Sequence, residues 1–518
     1  MTLHLKEKGL RLSSSFDRLN DDVLFNIISY AAEPNTRCQP HSVELEALTL
    51  LNVSHASRWL RAVSLSSPAL WGKVLQPHRS QFRWIELLLD RSGKSDLYII
   101  ADALEYRRDG EGKKIWKLVE THFHRCVYLS IAFTLPPSHV YSPYGLLWIP
   151  APNLRQCFVY AETSVVSPFN IAKHLPTSVP TLFQNEAPKL HTLRFTNCVY
   201  SSQAPLPFPL LQTMSLEATT TLKCYPLLLP DIASLKTLAI THLGPINRFP
   251  STYSTPSSSY ATKPTSLPNL EALHLTGQIP WIQALLNNLE VPRGRCCMSL
   301  DVTFAAEGRL SVVQVAAFWR TIFNNFPRTS IQNWSFRCCS TSTDLRLSNK
   351  AGFSLSISVR TRRTHLLPPH PYASGNPETP PGLSTHPAAD QAFFGISWAL
   401  IALRFPSVVQ GAKKLTLEFT EDTPFPEHLE SLIPALVNVY RVDLNRYAAQ
   451  DVRCYSLMGF LPRLSANIPV LPNLRILSIP RSVDCESVVS GRHRIATYGA
   501  FAILPRLENN EVEMEYYG

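Results

Sequence analysis

Long apolar runs are missing from this 518-residue chain. No stretch reaches the ~18 residues of a membrane span, and Met1–Phe16 lacks the apolar core of a secretory signal. No run of five basic residues occurs either, and the densest basic spot, Arg360, Arg362 and Arg363, lies beside a proline-rich stretch. The net charge of +10 is therefore dispersed and reads as a solvated surface, with no nucleic-acid footprint and no membrane partner. Glycine is scarce, 19 residues against 42 prolines, which suits many short segments each stopped by a proline. The 11 cysteines include no Cys-x-x-Cys pair, and an odd count without a signal peptide implies a reducing location, cytoplasmic or nuclear. Cys296–Cys297 and Cys338–Cys339 are adjacent pairs that suit buried strands better than a zinc site, and His122 and His124 fall between a helix end and a strand.

Catalytic signatures are absent in the same way. The chain has no G-x-S-x-G elbow, no phosphate-binding glycine loop and no H-E-x-x-H helix. We expect no catalytic residue, no cofactor and no metal, hence a binding protein and not an enzyme.

What is present begins with DRLNDDVLFNIISY, Asp17–Tyr30, where Asn20, Asp21 and Asp22 can cap a helix carrying Val23, Leu24, Ile27 and Ile28. The loop Glu33–Ser42 follows. A second helix over Glu44–Leu51 places Leu45, Leu48 and Leu51 near one face, with Ser42 as N-cap. Ser54 can cap a third, in which Ala56, Trp59, Leu60 and Val63 recur at helical spacing. Ser67 and Pro68 end it, with Leu70 and Trp71 as apolar anchors.

From about Cys126 the pattern changes to L-x-x-L-x-L triplets, commonly introduced by proline and one residue. The clearest are Leu190, Leu193, Phe195; Leu211, Met214, Leu216; Leu235, Leu238, Ile240; Leu270, Leu273, Leu275; and Leu474, Leu477, Ile479. Looser copies are RCVYLSI, PNLRQCFV, RCCMSLDV, GAKKLTLEF and VYRVDL. The first spacings fit leucine-rich repeats, and the longer gap from Leu235 to Leu270 holds a Ser/Thr/Pro-rich insert. Val312, Val315, Phe318 and Trp319 mark a return helix over Ser311–Phe326. The expected fold class is α/β: a small helical domain over 16–75 after a flexible 1–15, then an irregular parallel β/α solenoid over 76–510. Disordered inserts are expected near 245–267 and 361–390, and 511–518 reads as a frayed acidic tail.

The three N-terminal helices resemble an F-box. Leu19, Asp22, Val23 and Leu24 match its opening, Ile27 and Ile28 its first helix, and Leu48, Leu51, Val53, Ser54 and Trp59 the remainder. Ser64–Trp71 and Trp84–Ile99 look like the extension found in a fungal F-box group with leucine-rich-repeat-like C-terminal regions. Asn20 stands where that family has proline, the loop 33–42 is long, and Val53 to Trp59 exceeds the usual spacing. The resemblance implies a substrate-recognition subunit of an SCF-type E3 ubiquitin ligase. Leu19, Asn20, Val23, Leu24, Ile27, Ile28, Leu48, Leu51, Val53 and Trp59 would bind a Skp1-like adaptor, and through it the cullin and RING subunits. The repeats would hold a target protein, with residues such as His191, Thr192, Arg194, Glu271, Ala272 and His274 facing it. The alternative is a repeat scaffold with no role in ubiquitin transfer, the helices serving as its cap. An enzyme on the same α/β array would need a pocket with convergent polar groups.

Overall fold

A closed turn precedes most of the strands that the leucine triplets form. In the computed structural model the N–H of Leu154 donates to Ala151 O at 3.0 Å, Leu190 to Ala187 O at 3.1 Å, Leu211 to Phe208 O at 3.1 Å, Leu235 to Ile232 O at 3.1 Å and Leu270 to Leu267 O at 3.2 Å. Pro152, Pro188, Pro209 and Pro268 occupy the second position of these turns. A turn needs no N–H there, and proline's fixed φ is already the one required. The closing leucine then drops into the core, with Leu154, Leu190, Leu211 and Leu235 fully buried.

The structure describes residues 20–31, 44–73, 75–78, 80–102, 110–134, 143–162, 169–170, 182–199, 208–218, 232–242, 264–292, 296–303, 312–325, 333–338, 342–349, 354–360, 397, 401, 406–419, 436–446, 473, 475–480 and 513–517. They fall into two units, 1–165 with 169–211, and 166–168 with 212–518. No helix among them is long and apolar enough to cross a membrane.

The first unit opens with α1 (Asp21–Ala31), α2 (Glu44–Ala56), α3 (Arg58–Leu65), α4 (Pro68–Gly72) and α5 (Phe82–Ser92). Two of the expected boundaries move. Helix α2 runs on through Ser54, whose buried hydroxyl donates to Leu51 O at 2.7 Å, and the cap of α3 is Ser57, whose Oγ accepts the Leu60 N–H at 3.1 Å. Leu70 and Trp71 are buried as anchors, and the Trp71 indole N–H donates to Ser64 O at 2.8 Å. Gly93, at φ +52°, ends α5 in a conformation that suits glycine.

Beyond it the sheet is built from β1 (Leu97–Asp102), β2 (Cys126–Thr134), β3 (Gln156–Glu162) and β5 (Thr192–Thr196), all parallel and in chain order. The helix α6 (Gly110–His122) joins β1 to β2, and the two-residue strands β4 (Phe169–Asn170) and β6 (Cys198–Val199) pair beside it. Arg125 fixes the return after α6. Its guanidinium donates to Ser95 O and to Ser92 O and Oγ, satisfying carbonyls at the end of α5.

In the second unit β7 (Thr213–Ala218), β8 (Thr237–His242), β10 (Ala272–Gly277) and β12 (Cys297–Thr303) are parallel and in chain order, with β9 (Thr265–Ser266) paired to β11 (Leu289–Glu290). Leu238, Ile240, Leu273 and Leu275 are buried, α7 (Ile279–Asn287) packs on β10, and α8 (Val312–Asn325) packs on α7. Val315, Phe318, Trp319 and Ile322 form the buried stripe of α8; Val312, expected on it, is 54% exposed in the first turn.

The chain order then breaks. Strands β13 (Asn333–Cys338), β14 (Ser342–Ser348) and β15 (Ser354–Arg360) form an antiparallel meander, and it is β15 that lies beside β12 while β13 lies beside β16 (Lys414–Phe419). β17 (Arg441–Arg446), β18 (Ile476–Pro480) and β19 (Glu513–Tyr517) complete the sheet in parallel. Two boundaries are thereby corrected. Residues 265–267, assigned to the first insert, hold a strand, and the tail expected to fray supplies β19. The register sets Met514 beside Leu477 and Tyr516 beside Ile479. The rest of the two inserts, 245–263 and 361–390, lies outside the described residues.

Asparagines in the turns tie neighbouring repeats together. The side-chain amide of Asn153 donates to His124 O at 2.9 Å, Asn269 to Ala233 O at 2.7 Å, Asn438 to Gln410 O at 2.7 Å and Asn473 to Val437 O at 2.8 Å.

One close approach is decisive for the first unit. A Cβ on Gly72 would sit 2.2 Å from Asp96 O, where α4 meets the entry to β1. Gly72→Ala should therefore lower stability by about 1–3 kcal/mol, read as a lower urea midpoint with unchanged slope.

Candidate functional site

Helix α1 is set by its cap. Asn20 Oδ1 accepts the Asp22 N–H at 3.0 Å, Leu24 N–H donates to Asn20 O at 3.0 Å, and Asp21 and Asp22 lie in the first turn, at the positive end of the helix. Its apolar residues then divide. Leu24 and Ile28 are buried at 1% and 3% exposure, whereas Val23 is 43%, Ile27 47% and Tyr30 82% exposed. Val23, Ile27 and Tyr30 follow i, i+4, i+7, so they form one stripe along the helix.

Helices α2 and α3 pack against α1 and carry the next residues singled out in the sequence. Leu51, Val53 and Trp59 are half-buried. The Trp59 indole N–H donates to Asp21 Oδ1 at 3.1 Å and thereby ties α3 to the capped start of α1. Leu19 lies outside the described residues, and Leu48 falls within α2, its side chain not among those described. Of the predicted set the structure leaves Val23 and Ile27 open, puts Leu24 and Ile28 in the core, and uses Asn20 as the cap. Tyr30 is the residue that sequence reasoning missed; its signal was its place one turn beyond Ile27.

A lysine joins this layer to the sheet of the same unit. Lys73 Nζ donates to Ser29 Oγ at 2.7 Å and lies 5.9 Å from the centroid of the Tyr98 ring. Tyr98 stacks on Tyr128 at 5.6 Å, and Tyr128 meets Phe158 at 5.3 Å, on the sheet face opposite Leu97, Ile99 and Leu129. Thr192 is half-buried and Arg194 exposed on that face of β5.

In the second unit the corresponding face carries half-buried Thr213, Ser215, Thr237, Thr241, Ala272, Ser299 and Ser356, and exposed His274. Glu217, Asp301 and Arg346 lie on the same face by register, and a cluster of charges is bonded together further along it. Lys414 pairs with Asp443 from the neighbouring strand, Arg441 Nε donates to Asp443 Oδ1 at 2.8 Å, and Arg441 Nη2 donates to Ser478 Oγ at 3.1 Å. Burial would raise the Asp443 carboxyl, but hydrogen bonds from Lys414, Arg441 and Ser478 outweigh it and hold the carboxyl below its ordinary range.

The cysteines are of another kind. Burial pushes the Cys126, Cys157 and Cys198 thiols well up and that of Cys296 to about 12, so all four are protonated at neutral pH. Desolvation, then the Arg125 and His124 charges, lowers His122; the exposed His124 ring has Nδ1 3.2 Å from Thr121 O. Among the described residues no group of three His, Cys, Asp or Glu could hold a metal ion.

No family model and no curated protein matches this chain.

Two outcomes follow from these environments. In the native protein at neutral pH, iodoacetamide should leave Cys126, Cys157, Cys198 and Cys296 unlabelled, and denaturant should expose all four to it, as peptide mass spectrometry would read. Asp443 contributes its stability fully above the ordinary carboxylate pKa of about 3.9 and loses it as pH falls through its depressed native value. Asp443→Asn should cost about 1–2 kcal/mol at neutral pH, and the difference from the natural chain should shrink in denaturant titrations as pH falls through the depressed native value.

Proposed function

We propose that this chain is the substrate-recognition subunit of an SCF-type E3 ubiquitin ligase, an F-box helical domain followed by an irregular leucine-rich-repeat-like parallel β/α solenoid. The observation that carries the reading is the division of α1: Leu24 and Ile28 anchor the helix, while Val23, Ile27 and Tyr30 stand open. A helix that served only to cap a core would turn this stripe inward; Val23 and Ile27 keep nearly half of their surface in water, which forgoes roughly 1 kcal/mol each. A Skp1-like adaptor would take the stripe by the helix-in-groove mode, in which a few apolar anchors carry most of the binding. Asn20 with Asp21 and Asp22 replaces the family's leucine-proline start, and the Trp59–Asp21 bond holds the capped end in place.

In this reading no residue of the chain does chemistry. It positions a target near a ubiquitin-loaded E2 that the cullin and RING subunits bring. The target would lie on the polar sheet face that carries Arg194 in the first unit or His274 in the second.

Purified Skp1 tests this directly. The intact chain should bind it, and Val23→Asp with Ile27→Asp should weaken binding at least about tenfold while leaving the thermal midpoint unchanged, because both positions are exposed. Absence of binding by the intact, folded chain would sink the ligase reading and leave a repeat scaffold without a role in ubiquitin transfer.

A further inference from the structure

Helix α1 carries Asp21 and Asp22 at its positive end, but no Lys, Arg or His in its last turn. The free carbonyls of that turn carry partial negative charge, which a nearby cation stabilises. The cation comes from another element. Lys73, the C-cap of α4, donates from Nζ to Ser29 Oγ at 2.7 Å, within the last turn of α1. Lys73 is half-buried, and besides Ser29 its partner is the face of the Tyr98 ring. Among the described residues no carboxylate pairs with it.

The backbone that carries Lys73 is fixed to the sheet of the same unit. Trp71 is buried with its indole N–H bonded to Ser64 O, and Gly72 packs so closely on Asp96 O that no side chain fits between them. Lys73 N–H itself donates to Leu70 O at 3.2 Å. An ammonium mounted there refers α1 to the sheet as well as to α2 and α3. The bond from Trp59 to Asp21, 3.1 Å, holds the opposite end. Asp21 and Ser29 are separated by about 12 Å along the helix axis, so the two bonds resist both tilt and roll while Leu24 and Ile28 set the depth. Neither bond lies on the open stripe: at 100° per residue Ser29 stands about 120° round the helix from Val23 and about 160° from Ile27.

We propose that Lys73 is a positioning residue for the docking stripe: by holding Ser29 and supplying the cation at the end of α1, it sets the direction in which Ile27 and Tyr30 point. This rests on the reading of Val23, Ile27 and Tyr30 as the adaptor-binding surface. Without the ammonium the stripe keeps its composition, but its C-terminal end is no longer referred to the sheet. An adaptor then has to select one orientation of Tyr30 from several, and affinity falls by the fraction of chains that hold it.

The full chain is compared with Lys73→Met, Lys73→Arg, Ser29→Ala and the double variant Lys73→Met with Ser29→Ala. Each is titrated with purified Skp1 at a temperature where circular dichroism shows it folded. Lys73→Met keeps the apolar stem and loses the donor, and it should weaken binding about three- to tenfold. The double variant should bind no more weakly than Lys73→Met alone, since both changes cut one bond. Lys73→Arg, which can still donate, should restore most of the affinity. A contact that only stabilised the fold would lower the thermal midpoint and leave the affinity of the folded chain unchanged, and that result overturns the proposal. Hydrogen exchange in the free chain separates this inference from the ligase reading. The amides of residues 29–31 should exchange at least about threefold faster in Lys73→Met and return toward the natural rate in Lys73→Arg. If the natural chain binds no Skp1, the ligase reading fails; faster exchange in Lys73→Met then still supports the role of Lys73 in placing α1, and unchanged exchange overturns that as well.

Discussion

Much of this molecule depends on one recurring hydrogen bond, the one that closes the turn ahead of β3, β5, β7, β8, β10, β16 and β17. It turns the chain sharply enough for the fourth residue, leucine in five of the seven turns and Ala412 or Val439 in the others, to enter the core before the strand has begun. From there alternation does the rest: the apolar positions fall beneath the sheet and the polar ones above it. The unusual proline content is a consequence of this bond, since Pro152, Pro188, Pro209 and Pro268 each preset a turn that would otherwise have to be fixed at the expense of chain entropy. Among the described residues positive φ occurs at Gly93, Phe183, Gln184, Asn185 and Asn197, and none of these lies in the proline turns.

All ten triplets identified in the sequence are strands, and their order along each unit is largely their order in the sheet. That much was legible because the signal was redundant: a turn, a leucine and an alternation pointing to the same residues. The meander of β13, β14 and β15 was not legible. Its strands alternate well enough, but nothing in TDLRLS or SLSISV states that β15 and not β13 will neighbour β12, since that choice is made by partners far along the chain. β19 was hidden differently. Three glutamates in EVEMEYYG dominate its composition and obscure the alternation that makes it a strand.

In the helical layer the sequence specified the helices and not their exposure. Val23 and Leu24 are adjacent and chemically alike, yet one is open and the other buried, and only the placement of α2 and α3 separates them. The cap of α3 moved from Ser54 to Ser57 for a related reason. Ser54 lies where its hydroxyl can bond back within a continuing helix, and three residues later Ser57 meets an open backbone N–H. Serine content alone could not tell these positions apart.

The asparagine contacts bear on where this chain can grow. Each amide reaches one carbonyl in the preceding repeat, from a turn residue a fixed few positions ahead of its strand. Adding a residue between turn and strand would move the amide out of reach and flip every side chain of the strand to the opposite face at once. Length change is therefore forbidden in one half of every repeat and permitted in the other. The long Ser/Thr/Pro stretches fall on the permitted side, between the end of one strand and the next turn, so the array can gather sequence without losing its frame.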